Sequence, residues 1–229
     1  EEVFGVDLVQ AQIAIAAGEH FADLGLDVNA PPKPRGYAMQ WRINAETLDA
    51  QGQSRPGSGR ISHLRWPQGP GIRVDSHAQQ GVAPSPHYDT LLAKLIVHSN
   101  APRFEDVLRR SQRALADCRI AGLASNLHLL QALAQRLEMQ SQQVHTRWLE
   151  EVLPELLSAS EKIAASVCEA SNLDTKPSEN HEQQALEAPE NAVLAPMPAR
   201  VVQWSVEAGQ SVAKGAELGI LEAMKMQHV

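Results

Sequence analysis

Two basic side chains in this chain stand where chemistry could be done. Lys225 lies between Met224 and Met226, just past the apolar run Leu218 to Leu221. An ammonium inside a core would have to be paired, so the run reads as a strand that delivers Lys225 to an exposed tip. Arg42 belongs to the stretch 37–44, where Tyr37, Met39, Trp41 and Ile43 alternate with Gln40, Arg42 and Asn44. A strand there packs one face and leaves the other, carrying a permanently charged guanidinium, free for polar work. A surface lysine is ordinarily a solvated charge and a surface arginine a member of an exposed ion pair. Whether these two do more depends on their surroundings.

Other chemistry finds little support in the residue types. His63, His77, His87, His98, His128 and His145 share no metal-ligand spacing, and no metal ligation is expected within this chain. Cys118 and Cys168 form no Cys-x-x-Cys pair and read as incidental or buried thiols in a reducing compartment. No Gly-x-x-x-x-Gly-Lys phosphate loop is present. The net charge is −7, and Lys and Arg form no cluster interleaved with aromatics, which disfavours nucleic acid and membrane surfaces as partners. With 229 residues, 43% of them hydrophobic, the chain can build one or two cored domains. It starts without Met and shows no leader pattern or long apolar run. It is therefore expected to be an internal piece of a larger soluble polypeptide, cytoplasmic or, in a eukaryote, in the mitochondrial matrix.

The elements that would position these residues can be read in order. Val6, Val9, Ile13 and Ala16 or Ala17 recur at helical spacing, predicting an amphipathic helix over 6–17 that stops at Gly18. A proline-rich loop over 27–36 precedes the strand over 37–44. Further strands are predicted at 60–64 and 72–74, with 91–97 apolar enough to be central in the sheet. Helices are expected over 102–117, on the stripe Phe104, Val107, Leu108 and Leu115, and over 126–138, on Leu127, Leu130, Leu133 and Leu137. A third is expected from about 147 to 157. Strands followed by helices indicate an α+β domain over 1–157 with a mixed or antiparallel sheet. Residues 158–190, rich in Ser, Ala, Glu, Gln, Asn and Pro, read as a flexible acidic linker. Short β-branched runs broken by Gly-containing turns then predict a small all-β domain over 191–229.

The last segment contains Ala195-Pro196-Met197-Pro198-Ala199, Glu207-Ala208-Gly209-Gln210-Ser211-Val212, Lys214-Gly215 and Glu222-Ala223-Met224-Lys225-Met226. In that order these resemble the biotinyl (biotin carboxyl carrier) domain, a lipoyl-like fold. The resemblance implies that Lys225 is the covalent attachment site of biotin. It also implies that Glu222, Ala223, Met224 and Met226 are the residues a biotin protein ligase recognises. Ala199 stands where the family usually has Gly. The family domain is two similar halves wrapped together, so 191–229 is expected to hold the first half only, a truncated domain.

Upstream, Arg42-Ile43-Asn44-Ala45-Glu46 is followed by Gly59-Arg60-Ile61, then Gly69 to Ser76, Tyr88-Asp89-Thr90-Leu91-Leu92-Ala93-Lys94, and Gly122-Leu123-Ala124-Ser125-Asn126. The set resembles the C-terminal domain of biotin carboxylase over most of 1–157. The resemblance places Arg42 beside bicarbonate and the biotin ureido ring, where a fixed cation would stabilise charge developing on the ureido oxygen. Asp89 is expected to orient an arginine, support a subunit contact, or cap the element that follows it. Arg73 falls in a region near the family's subunit interface and is read as structural. The parent is thus expected to be a ligase of the acyl-CoA carboxylase type that uses ATP, magnesium and bicarbonate to carboxylate biotin on Lys225. It would hand the group to an acyl-CoA at a carboxyltransferase subunit or domain, within an oligomer. The family's phosphate and magnesium ligands lie in an ATP-grasp part that would precede Glu1, so this chain is not expected to turn over alone. Two rival readings remain open: a lipoyl swinging-arm carrier, and a carrier or scaffold subunit with a degenerate carboxylase module. The short linker leaves no room for an intervening carboxyltransferase, which disfavours a pyruvate carboxylase arrangement.

Overall fold

A computed structural model describes residues 1–27, 29–84, 89–171, 200–207, 209–213, 216–223 and 226–228; for 168–171, 200, 223 and 226–228 it describes the backbone alone. The centre of the first unit is a three-stranded antiparallel sheet of β1 (Tyr37–Asn44), β5 (Ile72–Ser76) and β6 (Leu91–Ser99), in the order β1-β6-β5. Two further antiparallel pairs accompany it. One is β2 (Glu46–Leu48) with β3 (Ser54–Pro56); the other is β4 (Gly59–Arg65) with β7 (Arg119–Leu123). Of these strands, β2, β3 and β4 fall between β1 and β5 in the chain and β7 after β6. Every strand pairing among the described residues is antiparallel, so the mixed alternative for the sheet is not what forms.

The alternation in β1 works as its residue types require. Trp41 lies opposite Leu95, Met39 opposite Val97 and Ile43 opposite Ala93. On β5, Ile72 and Val74 complete the same face against Val97 and Leu95. Helix α2 (Phe104–Asp117) covers that face with Val107, Leu108, Ala114 and Leu115, all buried. Glu105 and Asp106 sit in its first turn, where they complement the helix dipole. Cys118, at the end of α2, is fully buried, and burial pushes its thiol up to about 12, which makes it an inert core residue.

Three expectations need correcting. The helix predicted over 126–138 is two helices, α3 (Leu127–Ala134) and α4 (Leu137–Gln140), broken at Gln135 and Arg136. Arg136 is drawn into ion pairs with Glu138 and Glu155 at 2.6 Å each, which fixes it outside the helical path. The third helix, α5, runs from Trp148 to Ser171, so the first part of the segment expected as a linker is helical. Leu153 and Leu156 are buried, and Leu157, Ser160, Ile163, Ala164 and Val167 continue a half-buried stripe at three- and four-residue spacing. Ala and Glu read as linker composition by polarity, yet both are strong helix formers. Finally, α1 (Leu8–Ala16) is shorter than predicted, with Asp7 as its N-cap accepting from Val9 and Gln10. No α1 residue is buried, so its apolar positions do not pack as an amphipathic face here.

The second unit contains β8 (Arg200–Trp204), β9 (Gly219–Ala223) and β10 (Met226–His228), antiparallel in the order β10-β9-β8. The strand expected from the apolar run to Leu221 thus extends to Ala223. Residues 172–199, which include the rest of the segment expected as a linker, lie outside the described residues.

Candidate functional site

Arg42 projects from the sheet face opposite the core, with Lys94 directly across from it on β6 and Asp75 across from Lys94 on β5. Two cations facing one another across a sheet repel, so nearby carboxylates matter. The Arg42 Nη2 lies 3.8 Å from Asp89 Oδ2, and Asp75 feels both Arg73 and Lys94. The hydrogen bond from Arg73, followed by the charges of Arg73 and Lys94, holds the Asp75 carboxyl below the usual range despite some desolvation. Arg73 pairs with Asp75 at 2.8 Å and with Glu1 and Glu2 at 3.1 Å each, ties that raise its pKa and bind the N-terminal segment to β5.

Asp89 makes two contacts. Its Oδ1 accepts from the Leu91 backbone N–H at 3.0 Å, capping the entry to β6, while Oδ2 faces Arg42. The Asp89 side chain is 68% exposed and the Arg42 side chain 50% exposed, leaving guanidinium donors for a ligand. A register shift helps aim the pair: Ile43 faces Ala93 but Asn44 faces Leu91, so Leu92 is an extra residue on β6. Tyr88 lies outside the described residues.

Sequence reasoning assigned no role to Glu46, Thr90 or Asn126, although each lies within a motif that stood out. Glu46 Oε1 accepts from Asn44 Nδ2 at 2.7 Å, and its Oε2 accepts from the Ser54 hydroxyl at 2.7 Å and the Thr90 hydroxyl at 3.1 Å. Asn126 Nδ2 donates to the Arg42 carbonyl at 3.1 Å, and its Oδ1 accepts from the Asn44 N–H at 2.9 Å. Three separated motifs therefore meet at Arg42. The signal that was there to find is parity, since Glu46 falls on the same two-residue alternation as Arg42 and Asn44. A nearby cleft of about 280 Å³ is lined by Thr47, Asn126, His128, Leu157 and Glu161 among others. Burial, and then the charge of Arg119, push the His128 pKa down.

The carrier motif is only partly described. Glu222 and Ala223 are on β9 and Met226 opens β10, with Ala223 paired to Met226 and Glu222 to Gln227. Met224 and Lys225, the two positions between those strands, lie outside the described residues. Among the described residues, no group of three or more His, Cys, Asp or Glu could hold a metal, and no helix is long and apolar enough to cross a membrane.

Comparison with known proteins accounts for these features together. Residues 40–151 match the family model for the biotin carboxylase C-terminal domain, and residues 191–229 match the model described as biotin-requiring enzyme. The biotin-dependent acyl-coenzyme A carboxylase alpha3 subunit of Mycobacterium leprae is 31% identical over 100% of this chain and 44% of its own length. Biotin carboxylase of Haemophilus influenzae is 36% identical over 67% of this chain and 32% of its own. Among solved structures, a single-chain, multi-domain long-chain acyl-CoA carboxylase matches 100% of this chain and 21% of its own, with 34% identity and a TM-score of 0.64. The chain thus spans less than half the length of these relatives. With both domain models matched in that order and the fold shared, the chain belongs to the biotin-dependent carboxylases, carrying a biotin carboxylase C-terminal domain and, after it, a biotin/lipoyl-type domain.

Proposed function

We propose that this chain is part of an ATP-dependent biotin carboxylase and carrier polypeptide of an acyl-CoA carboxylase, with biotin attached to Lys225. The observation that carries the reading is coverage. Relatives named as acyl-CoA carboxylases align over the whole chain, carboxylase domain and carrier domain together, whereas the stand-alone biotin carboxylase aligns over two thirds of it. The separation of the matched segments, 151 to 191, leaves no space for a further catalytic domain between them.

Biotin, when attached, supplies the ureido nitrogen that carries the carboxyl group. Arg42 fits that group: its side chain is half exposed, and its guanidinium lies 3.8 Å from the Asp89 carboxylate. Its role is to set a cation where negative charge develops, at a position fixed before reaction. Asp89 keeps the guanidinium from swinging away and offsets its repulsion by Lys94. ATP, magnesium and the activation of bicarbonate are assigned to the rest of the polypeptide; among the described residues no group of three or more His, Cys, Asp or Glu could hold a metal. Glu222, Ala223, Met224 and Met226 flank Lys225 as the surface a biotin protein ligase would read. A tether between the domains makes the meeting of Lys225 with each active site effectively intramolecular. The partners implied are a carboxyltransferase and an acyl-CoA, in an oligomer placed in the cytoplasm or, in a eukaryote, the mitochondrial matrix.

The test is mass spectrometry of the Lys225 peptide from the full-length parent made with an active biotin ligase. Biotin on Lys225, with ATP-dependent fixation of labelled bicarbonate, is the expected result. Lipoate, or an unmodified lysine, overturns the reading.

A further inference from the structure

Arg42 projects from a strand whose outer edge has no neighbouring strand among the described residues. β1 ends its sheet, so main-chain groups of Arg42 and Asn44 that point away from β6 need another partner. Residues two apart in a strand present those groups to the same side. Asn126 fills the vacancy in the ladder: its Nδ2 donates to the Arg42 carbonyl, its Oδ1 accepts from the Asn44 N–H, and its own backbone N–H donates to the Asn44 carbonyl at 3.1 Å. A carboxamide offers a donor and an acceptor side by side, as a peptide does, and these two partners fix which way it is turned.

Glu46 does the equivalent for the acid that faces Arg42. Its carboxylate ties Asn44 to the hydroxyl of Thr90, a buried residue whose carbonyl also accepts from the Ala45 N–H at 2.7 Å. Asp89 is the residue next to Thr90, so fixing Thr90 fixes the loop from which Asp89 reaches the guanidinium.

We propose that Asn126 and Glu46 are positioning residues for Arg42, Asn126 holding the strand that projects the guanidinium and Glu46 holding the loop that presents Asp89 to it. The proposal rests on the reading of Arg42 given above. A group held at the edge of a strand can shift by an ångström when its staple is lost, and displacements of that size cost about 100-fold in rate.

The experiment uses the full-length protein and follows transfer of labelled carbon from bicarbonate to its biotin. The variants are Arg42→Met, Asn126→Ala, the double variant, Glu46→Ala and Glu46→Gln. Asn126→Ala is expected to lower kcat about 10- to 100-fold with the KM for ATP unchanged, and the double variant to be no slower than Arg42→Met alone. Glu46→Gln should retain most of the rate, because the amide still accepts from Asn44 and still meets the Thr90 and Ser54 hydroxyls, while Glu46→Ala should not. Should Asn126→Ala fail to give a cooperative thermal transition, Asn126→Asp keeps the acceptor for Asn44 but sets a carboxylate oxygen against the Arg42 carbonyl in place of the donor, and the same non-additivity is expected. Multiplying losses in the double variant, or a wild-type rate in both Asn126 variants, would overturn the positioning role while leaving Arg42 in place. A wild-type rate in Arg42→Met would instead remove the reading on which it rests.

Discussion

Arg42 and Lys94 face each other across the outer side of the sheet, an arrangement that adds nothing to stability and is tolerated because Asp89 and Asp75 stand on either side. The Arg42–Asp89 contact is long and open to solvent, so it too contributes little to folding. Arg42→Met is therefore expected to leave the unfolding free energy within about 0.5 kcal/mol of the parent value. Biotin carboxylation should meanwhile fall by about 100- to 1,000-fold, the usual cost of removing a preorganised charge-stabilising group. Urea titration and the labelled-bicarbonate assay check the two halves. A variant that unfolded as it lost activity would return Arg42 to an ordinary structural ion pair. The sequence placed this side chain on the right face because alternation is a local property. It could not name Asn126, which lies 84 residues away in the chain and reaches Arg42 only through tertiary packing.

At the scale of elements, β4 and β7 bring Asn126 to β1, and glycines set how closely they approach. Gly122 holds φ at +93°, and a Cβ there would fall on the carbonyl oxygen of Arg60 in the facing strand. Gly57 has the same problem with the carbonyl oxygen of Ala124, at the other end of this contact. Gly122→Ala is expected to destabilise the domain by about 1–3 kcal/mol through backbone strain alone, with more added if β7 is pushed off β4. Chemical denaturation would show the loss, and an unchanged midpoint would mean that the two strands can separate freely. Helix α5 teaches the opposite lesson about composition. Its segment from Ser158 to Ser171 has few large apolar residues, so polarity alone reads it as linker, yet Ile163 and Val167 with Ser160 and Ala164 form a half-buried stripe that keeps it helical.

For the whole molecule, the two candidate chemical groups lie on separately matched domains, and changes at one should leave the other's folding untouched. Lys225→Arg is expected to abolish biotinylation, and with it carboxylation, while the thermal transition of the 40–151 domain stays where it was. Arg42→Met should leave biotinylation of Lys225 complete. A shift of that thermal transition in Lys225→Arg, read by calorimetry, would show that the domains are energetically coupled rather than merely joined.

The sequence by itself determined the family motifs, the core face of β1, the central place of β6 and the helical stripe of α2, because periodicity and motif order are carried by residues close together in the chain. Tertiary structure decided the rest. The pairing of β4 with β7, the break between α3 and α4 at an arginine drawn to Glu155, and the convergence of Glu46, Thr90 and Asn126 around Arg42 all depend on hydrogen bonds between residues far apart in sequence. Such bonds leave no periodic trace, since what selects each partner is the geometry of a buried or edge polar group that must be satisfied after the chain has folded.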